Sequence, residues 1–139
     1  MNVREISEVE LVPNNIVQNI KHIKEEQEKD VDISEIMRCM RESEMRVISD
    51  DSKEVKGLKR CGKKLKLDKN GILVKCDKLN GRQIVLPKSM RPSIYEQLHV
   101  EIGHLGAERV LELARKKVFW PKMQEDIETF IREQCACIA

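Results

Sequence analysis

Four residues in the last part of the chain have the chemistry to hold one metal ion: His99 and His104 in LHVEIGHLG, and Cys135 and Cys137 in EQCACIA. Neutral imidazole nitrogen and thiolate sulfur are ligands that zinc takes in tetrahedral sites, and when protein fills all four positions no place is left open for water or substrate. Such a site folds a domain and performs no reaction. Spacing alone leaves two readings open. In one, residues 105–134 fold back and bring the two pairs into a single shell. In the other, the chain carries two surface histidines and two reduced thiols, since an unligated cysteine often packs as a small apolar residue.

The elements that must position these residues are helical. From Ser89 onward Pro92 suits a first helical turn, and Ile94, Tyr95 and Leu98 bring His99 near the end of that helix, with Gly103 permitting a turn before His104. Residues 107–117 read as a second helix, with Val110, Leu111 and Ala114 inward and Arg109, Arg115 and Lys116 outward. Trp120 and Pro121 restart the chain as a third, in which Met123, Ile127, Phe130 and Ile131 recur at i, i+4, i+7 and i+8, and whose end delivers Cys135. Three short helices with so few large side chains bury little, so a metal is expected to staple them. Trp120, the only tryptophan, is expected as a core anchor between two helices, with stacking on a base as the competing role.

Upstream, Leu65 and Leu67 alternate with lysines, Asn70-Gly71 suits a type I′ turn, and Ile72, Leu73, Val74 and Cys76 form a second strand. After a turn over residues 77–81, residues 83–86 supply a third strand that Pro87 ends, giving a small antiparallel meander. Before it, Asn14 or Asn15 is a candidate cap for a helix bearing Ile16, Ile20 and Ile23, and Ser34 for a helix with Ile36, Met37, Met40 and Met45 on its apolar side. His22 lies on a charged helix and is expected to be exposed, and Cys76 is assigned no chemistry. The expected fold is α+β: residues 1–13 flexible, 14–52 an acidic helical segment, 53–88 a basic linker with the β-meander, and 89–139 a three-helix unit that carries the four candidate ligands.

Composition bounds the function classes. With 40% hydrophobic and only 3% aromatic residues, the core must be built on Ile, Leu, Val and Met. No apolar run approaches the roughly 18–20 residues needed to span a bilayer, so no membrane partner is expected. The acidic N-terminus lacks the pattern of a secretion signal, and five cysteines in a reducing compartment read as thiols or metal ligands. Net charge is +2 but unevenly spread: residues 1–52 carry 7 Lys and Arg against 13 Asp and Glu, and residues 53–139 carry 19 against 11. The densest basic stretch, residues 53–69, is either a solvated linker or a surface for a polyanion.

The His99–His104 pair, the run GHLGAERVLELARKKVFWPKMQEDIETFI and the closing cysteines resemble the His-His-Cys-Cys zinc-binding domain of integrases, specifically those of Ty3/gypsy-type LTR retrotransposons. The similarity lies in Gly103-His104-Leu105-Gly106, in the helix from Ala107, in Phe119-Trp120-Pro121 with Met123, and in Asp126-Ile127. Arg82-Gln83-Ile84-Val85-Leu86-Pro87, with Met90-Arg91-Pro92 after it, is similar to the segment preceding that domain. Family members place two residues between the cysteines, whereas this chain has one, Ala136.

The resemblance implies one structural zinc ion held by His99, His104, Cys135 and Cys137. It implies binding in place of catalysis, because the sequence ends two residues after Cys137, before any RNase H-like catalytic core. The implied partners are the ends of the element's DNA and other integrase protomers, with no small-molecule substrate. Arg109, Arg115, Lys116, Lys117 and Lys122 are candidate phosphate contacts, and the implied location is nuclear or cytoplasmic, not secreted. A protein-interaction module acting through the acidic helical half, and a truncated, non-functional relic of a retroelement polyprotein, are the alternatives.

Overall fold

The computed structural model describes residues 19–138, with the side chains of Ile102, His104 and residues 134–138 left outside the description. The expected flexible stretch 1–13 and the candidate caps Asn14 and Asn15 also fall outside it. The first described helix, α1 (Ile20–Lys29), is capped by Asn19, whose side chain accepts from the His22 backbone N–H at 3.0 Å. Ile23 and Gln27, one turn apart, face inward, whereas Ile20 is exposed, contrary to expectation. Helix α2 (Val31–Arg41) starts three residues before the expected cap Ser34. Asp30 takes that role, accepting from the N–H groups of Asp32 and Ile33, and its carboxylate also complements the positive end of the helix. Met45 lies beyond the end of α2, yet with Met40 it still packs against the core that Ile36 and Met37 enter.

Residues 53–61, expected as linker, form helix α3 (Lys53–Cys61). Ser52 caps it by accepting from Val55 N–H at 3.1 Å, and Val55 and Leu58 supply an apolar face that the surrounding lysines obscured. One of those lysines, Lys59, is itself buried. It pairs with Asp51 at 2.9 Å and donates to the Arg46 carbonyl at 2.9 Å, holding the connection from α2 against α3.

The meander exists as expected, β1 (Leu65–Leu67), β2 (Leu73–Asp77) and β3 (Gly81–Val85), all antiparallel. Its first turn differs from the type I′ reading. Asp68 N–H donates to Ile72 O and Gly71 N–H to Asp68 O, enclosing a three-residue loop in which Gly71 alone takes positive φ, 79°. The Asp68 carboxylate, accepting from Asn70 and Ile72 N–H, supports this longer loop. A fourth strand, β4 (Val118–Phe119), was not anticipated. It pairs in parallel with β3, with Ile84 N–H donating to Lys117 O and Leu86 N–H to Phe119 O. Helices α4 (Arg91–Leu105), α5 (Ala107–Arg115) and α6 (Met123–Ile138) complete six α-helices and a four-stranded sheet among the described residues. None of these helices is long and apolar enough to cross a membrane.

Side chains alternate along the strands and feed two cores on opposite faces of the sheet. Leu73, Val85 and Phe119 face Ile33, Ile36, Val55 and Leu58 of α2 and α3. Val74, Ile84 and Val118 face Ile94, Leu98, Val110, Leu111, Trp120 and Ile127 of the C-terminal helices, and Ile23 of α1 joins that second core. Where β2 and β3 part, the fully buried Gln27 amide bridges them. Its Nε2 donates to Leu73 O and Val85 O at 3.0 and 2.8 Å, and its Oε1 accepts from Leu73 N–H at 2.8 Å.

Two contacts join α3 to the C-terminal helices. Glu54 pairs with Arg91, both largely buried. A Cβ placed on Gly57 would lie 2.7 Å from Pro121 Cβ, so the close approach of α3 to this proline requires glycine. Two stability effects are expected in urea unfolding. Gln27→Ala leaves three buried backbone groups unpaired and should cost at least about 3 kcal/mol, from roughly 1–3 per unmet group. Gly57→Ala gains about 1 kcal/mol of helix propensity and loses about 1–3 to overpacking, for a net loss of up to about 2 kcal/mol.

Candidate metal centre and its basic flank

Histidines 99 and 104 lie on one helix. The turn expected at Gly103 is absent, because α4 runs unbroken to Leu105 and the chain turns at Gly106, φ 81°. Glycine inside a helix costs only about 1 kcal/mol, whereas a positive φ strongly favours glycine, so the second glycine sets the break. The donor set of two imidazoles and two thiolates fits a closed zinc site in chemistry. Among the described residues no group of three His, Cys, Asp or Glu side chains converges.

His99 is exposed and borders a surface cavity of about 550 Å³ with Tyr95, Glu96, Val100 and Phe130. Phe130 stands five residues before Cys135, about 7.5 Å along the helix axis. Thus α4 and α6 meet on the side that carries His99, and Tyr95 secures the meeting. Its ring lies 5.0 Å from Phe130 and edge-on at 6.1 Å to Trp120. Burial, with the Asp126 carboxylate nearby, pushes the Tyr95 hydroxyl above its ordinary pKa.

Trp120 is the core anchor expected of it. It is fully buried, its indole N–H donates to Asp126 at 2.8 Å, and the Arg91 guanidinium sits 5.1 Å from its ring centre. His22 is exposed, also as expected.

The five candidate phosphate contacts separate into groups. Arg115 and Lys122 border one cavity of about 460 Å³, together with Lys75, Phe119, Gln124 and Glu128. Arg115 donates to the neutral amide oxygen of Gln124, and Lys122 is exposed. Lys116 is exposed at the end of α5 and Lys117 is half-buried. Arg109 stands apart and pairs with Glu112 at 2.7 Å. Sequence reasoning missed Lys75, whose ammonium lies 4.4 Å over the Phe119 ring, because only the unanticipated β4 brings Phe119 beside the sheet. The Cys61 thiol, on the same side of the molecule, is pushed up by burial against the pull of Lys75 and Lys64.

Residues 86–138 match the family model of the integrase zinc binding domain. This segment belongs to that family. The matched segment thus begins just after β3 and takes in α4, α5, β4 and α6, and all four candidate ligands lie within it. The chain is also 36% identical over 59 residues to the Pro-Pol polyprotein of Simian foamy virus type 3 (strain LK3), a match covering 42% of this chain and 5% of that polyprotein. No solved structure matches. At the junction of the zinc-binding domain's last two helices Lys122 holds φ 65°, in the region side chains other than glycine rarely adopt. Lys122→Gly should therefore raise stability by about 0.5–1 kcal/mol, seen as a higher midpoint in thermal unfolding.

Proposed function

We propose that this chain is the zinc-binding N-terminal region of a retroelement integrase of the Ty3/gypsy type. In this reading His99, His104, Cys135 and Cys137 hold one structural zinc ion, and the region binds element DNA ends and other integrase protomers without catalysing strand transfer. The observation that carries the reading is the family match over residues 86–138, which encloses an ordered His, His, Cys, Cys set at positions 99, 104, 135 and 137. Residues 14–52 and 53–88 then form an N-terminal extension, and residues 89–139 form the unit that zinc closes. Acting on chromosomal DNA, the protein works in the nucleus.

When bound, zinc supplies cross-linking of the chain and no Lewis-acid chemistry, since four protein donors fill its shell. The protein's own contribution is positional: Tyr95 and Phe130 seat α4 on α6, and Trp120 with Asp126 fixes the start of α6. Support for DNA as partner comes from Arg115, Lys116 and Lys122, which have no acidic partner within ion-pair distance among the described residues.

Native mass spectrometry of the zinc-loaded chain should show one metal, and cobalt substitution should give the visible spectrum of a two-sulfur, two-nitrogen tetrahedral site. His104→Ala should lose that spectrum and the cooperative unfolding of the C-terminal helices. A chain that takes up no metal and melts identically with and without chelator would sink the zinc reading. Salt-insensitive self-association without DNA binding would instead favour a protein-interaction module.

A further inference from the structure

We propose a second phosphate-binding surface outside the zinc-binding domain, on the exposed side of α3, which joins Lys122 into one basic track for the backbone of duplex DNA. Lys53, Lys56 and Arg60 recur at i, i+3 and i+7 on the side of α3 opposite Val55 and Leu58. None of the three has an ion pair among the described residues. Of the acidic groups near them in sequence, Asp51 pairs with Lys59 and Glu54 with Arg91, and Asp50 makes no ion pair with them among the described residues. Like charges on successive turns repel one another, so leaving them uncompensated costs stability in the free protein. A polyanion removes that repulsion and releases its own counterions on binding.

The contact between Gly57 and Pro121 extends the track. Gly57 lies at the edge of the cationic side of α3, and the residue following Pro121 is the exposed Lys122, which borders the same cavity as Arg115. Cations far apart in sequence thus form one surface, from α3 across the proline to the start of α6. From Lys53 to Arg60 the helix rises roughly 10 Å, the length of about three base pairs at 3.4 Å each. Lysine and arginine side chains spread along one side of a helix contact phosphates, and phosphate contacts position a duplex without reading its bases.

This inference rests on DNA as the partner of the proposed function, and the test separates the two. Binding of the zinc-loaded full chain to a fluorescent duplex of arbitrary sequence is measured by anisotropy across a range of salt concentrations. The triple variant Lys53→Gln/Lys56→Gln/Arg60→Gln should weaken binding and lower the slope of log K against log salt by about 2–3, at roughly 0.9 for each phosphate that is no longer neutralised. A control with the same charge change on α1, Lys21→Gln/Lys24→Gln/Lys29→Gln, should retain the wild-type slope. Equal decreases in both variants would mean a general effect of net charge and would overturn the track. A wild-type slope in the α3 variant, with unchanged melting and intact DNA binding, would overturn it while leaving the proposed function standing. No DNA binding by the unmutated chain would remove both.

Discussion

The buried amide of Gln27 sits where the whole arrangement meets. It makes three hydrogen bonds to the backbones of Leu73 and Val85, at the end of the sheet where β2 and β3 have begun to part. Those two residues point into the core under α2 and α3, while Ile23, one turn before Gln27 on the same helix, points into the core under the C-terminal helices. One side chain therefore fixes α1 relative to both strands and both cores. A sheet this short has few ladder bonds of its own, so a buried amide that satisfies three backbone groups at once carries a disproportionate share of its order.

The same economy governs how the zinc-binding domain joins the rest. Its connection runs through β4, two residues paired in parallel with β3, through the contact of Gly57 with Pro121, and through the ion pair of Glu54 with Arg91. Arg91 also lies over Trp120, and Trp120 bonds Asp126. A continuous line of contacts thus leads from α3 to the start of α6, the helix whose far end bears the two cysteines. The apolar core beneath α4, α5 and α6 is shared with the sheet and α1, so the C-terminal helices draw on residues well outside the stretch that matches the family.

Charge is distributed by use. On α2, Arg38 is surrounded by Glu35, Glu42 and Glu44, and on its other side Asp32 holds Lys88 at 2.6 Å and Ser52 at 2.8 Å. Burial alone would raise the Asp32 carboxyl, but the Lys88 and Ser52 hydrogen bonds hold it below its ordinary range. These carboxylates of the acidic half are thus paired and structural. Among the described residues, Lys53, Lys56 and Arg60 on α3 and Arg115, Lys116 and Lys122 at the α5–α6 junction keep no such ion-pair partners, which is the arrangement a surface facing phosphate needs.

The chemistry of the candidate metal centre was legible in the chain itself. The ligand types at positions 99, 104, 135 and 137, the apolar periodicity of α5 and α6, Trp120 as an anchor and the three-stranded meander are local patterns, and local patterns set propensity. Other features depended on competition between neighbours. Asp30 displaced Ser34 as a cap because its carboxylate was closer to free N–H groups. Gly106 displaced Gly103 as the turn because only one of them had to adopt positive φ. Helix α3 was hidden because its lysines masked an apolar pair that gains meaning only against β2, β3 and α2. Strand β4, two residues long, has no periodicity to read and exists because β3 offers it an open edge. The joining of α3 to Lys122 is likewise a product of tertiary packing, since it needs a glycine and a proline far apart in sequence to come together. The sequence by itself determined which residues carry metal-binding chemistry and where the meander and the helices with a clear apolar period lie. Only the tertiary structure decided which charges are compensated and which face outward together, because pairing is settled by distance in space.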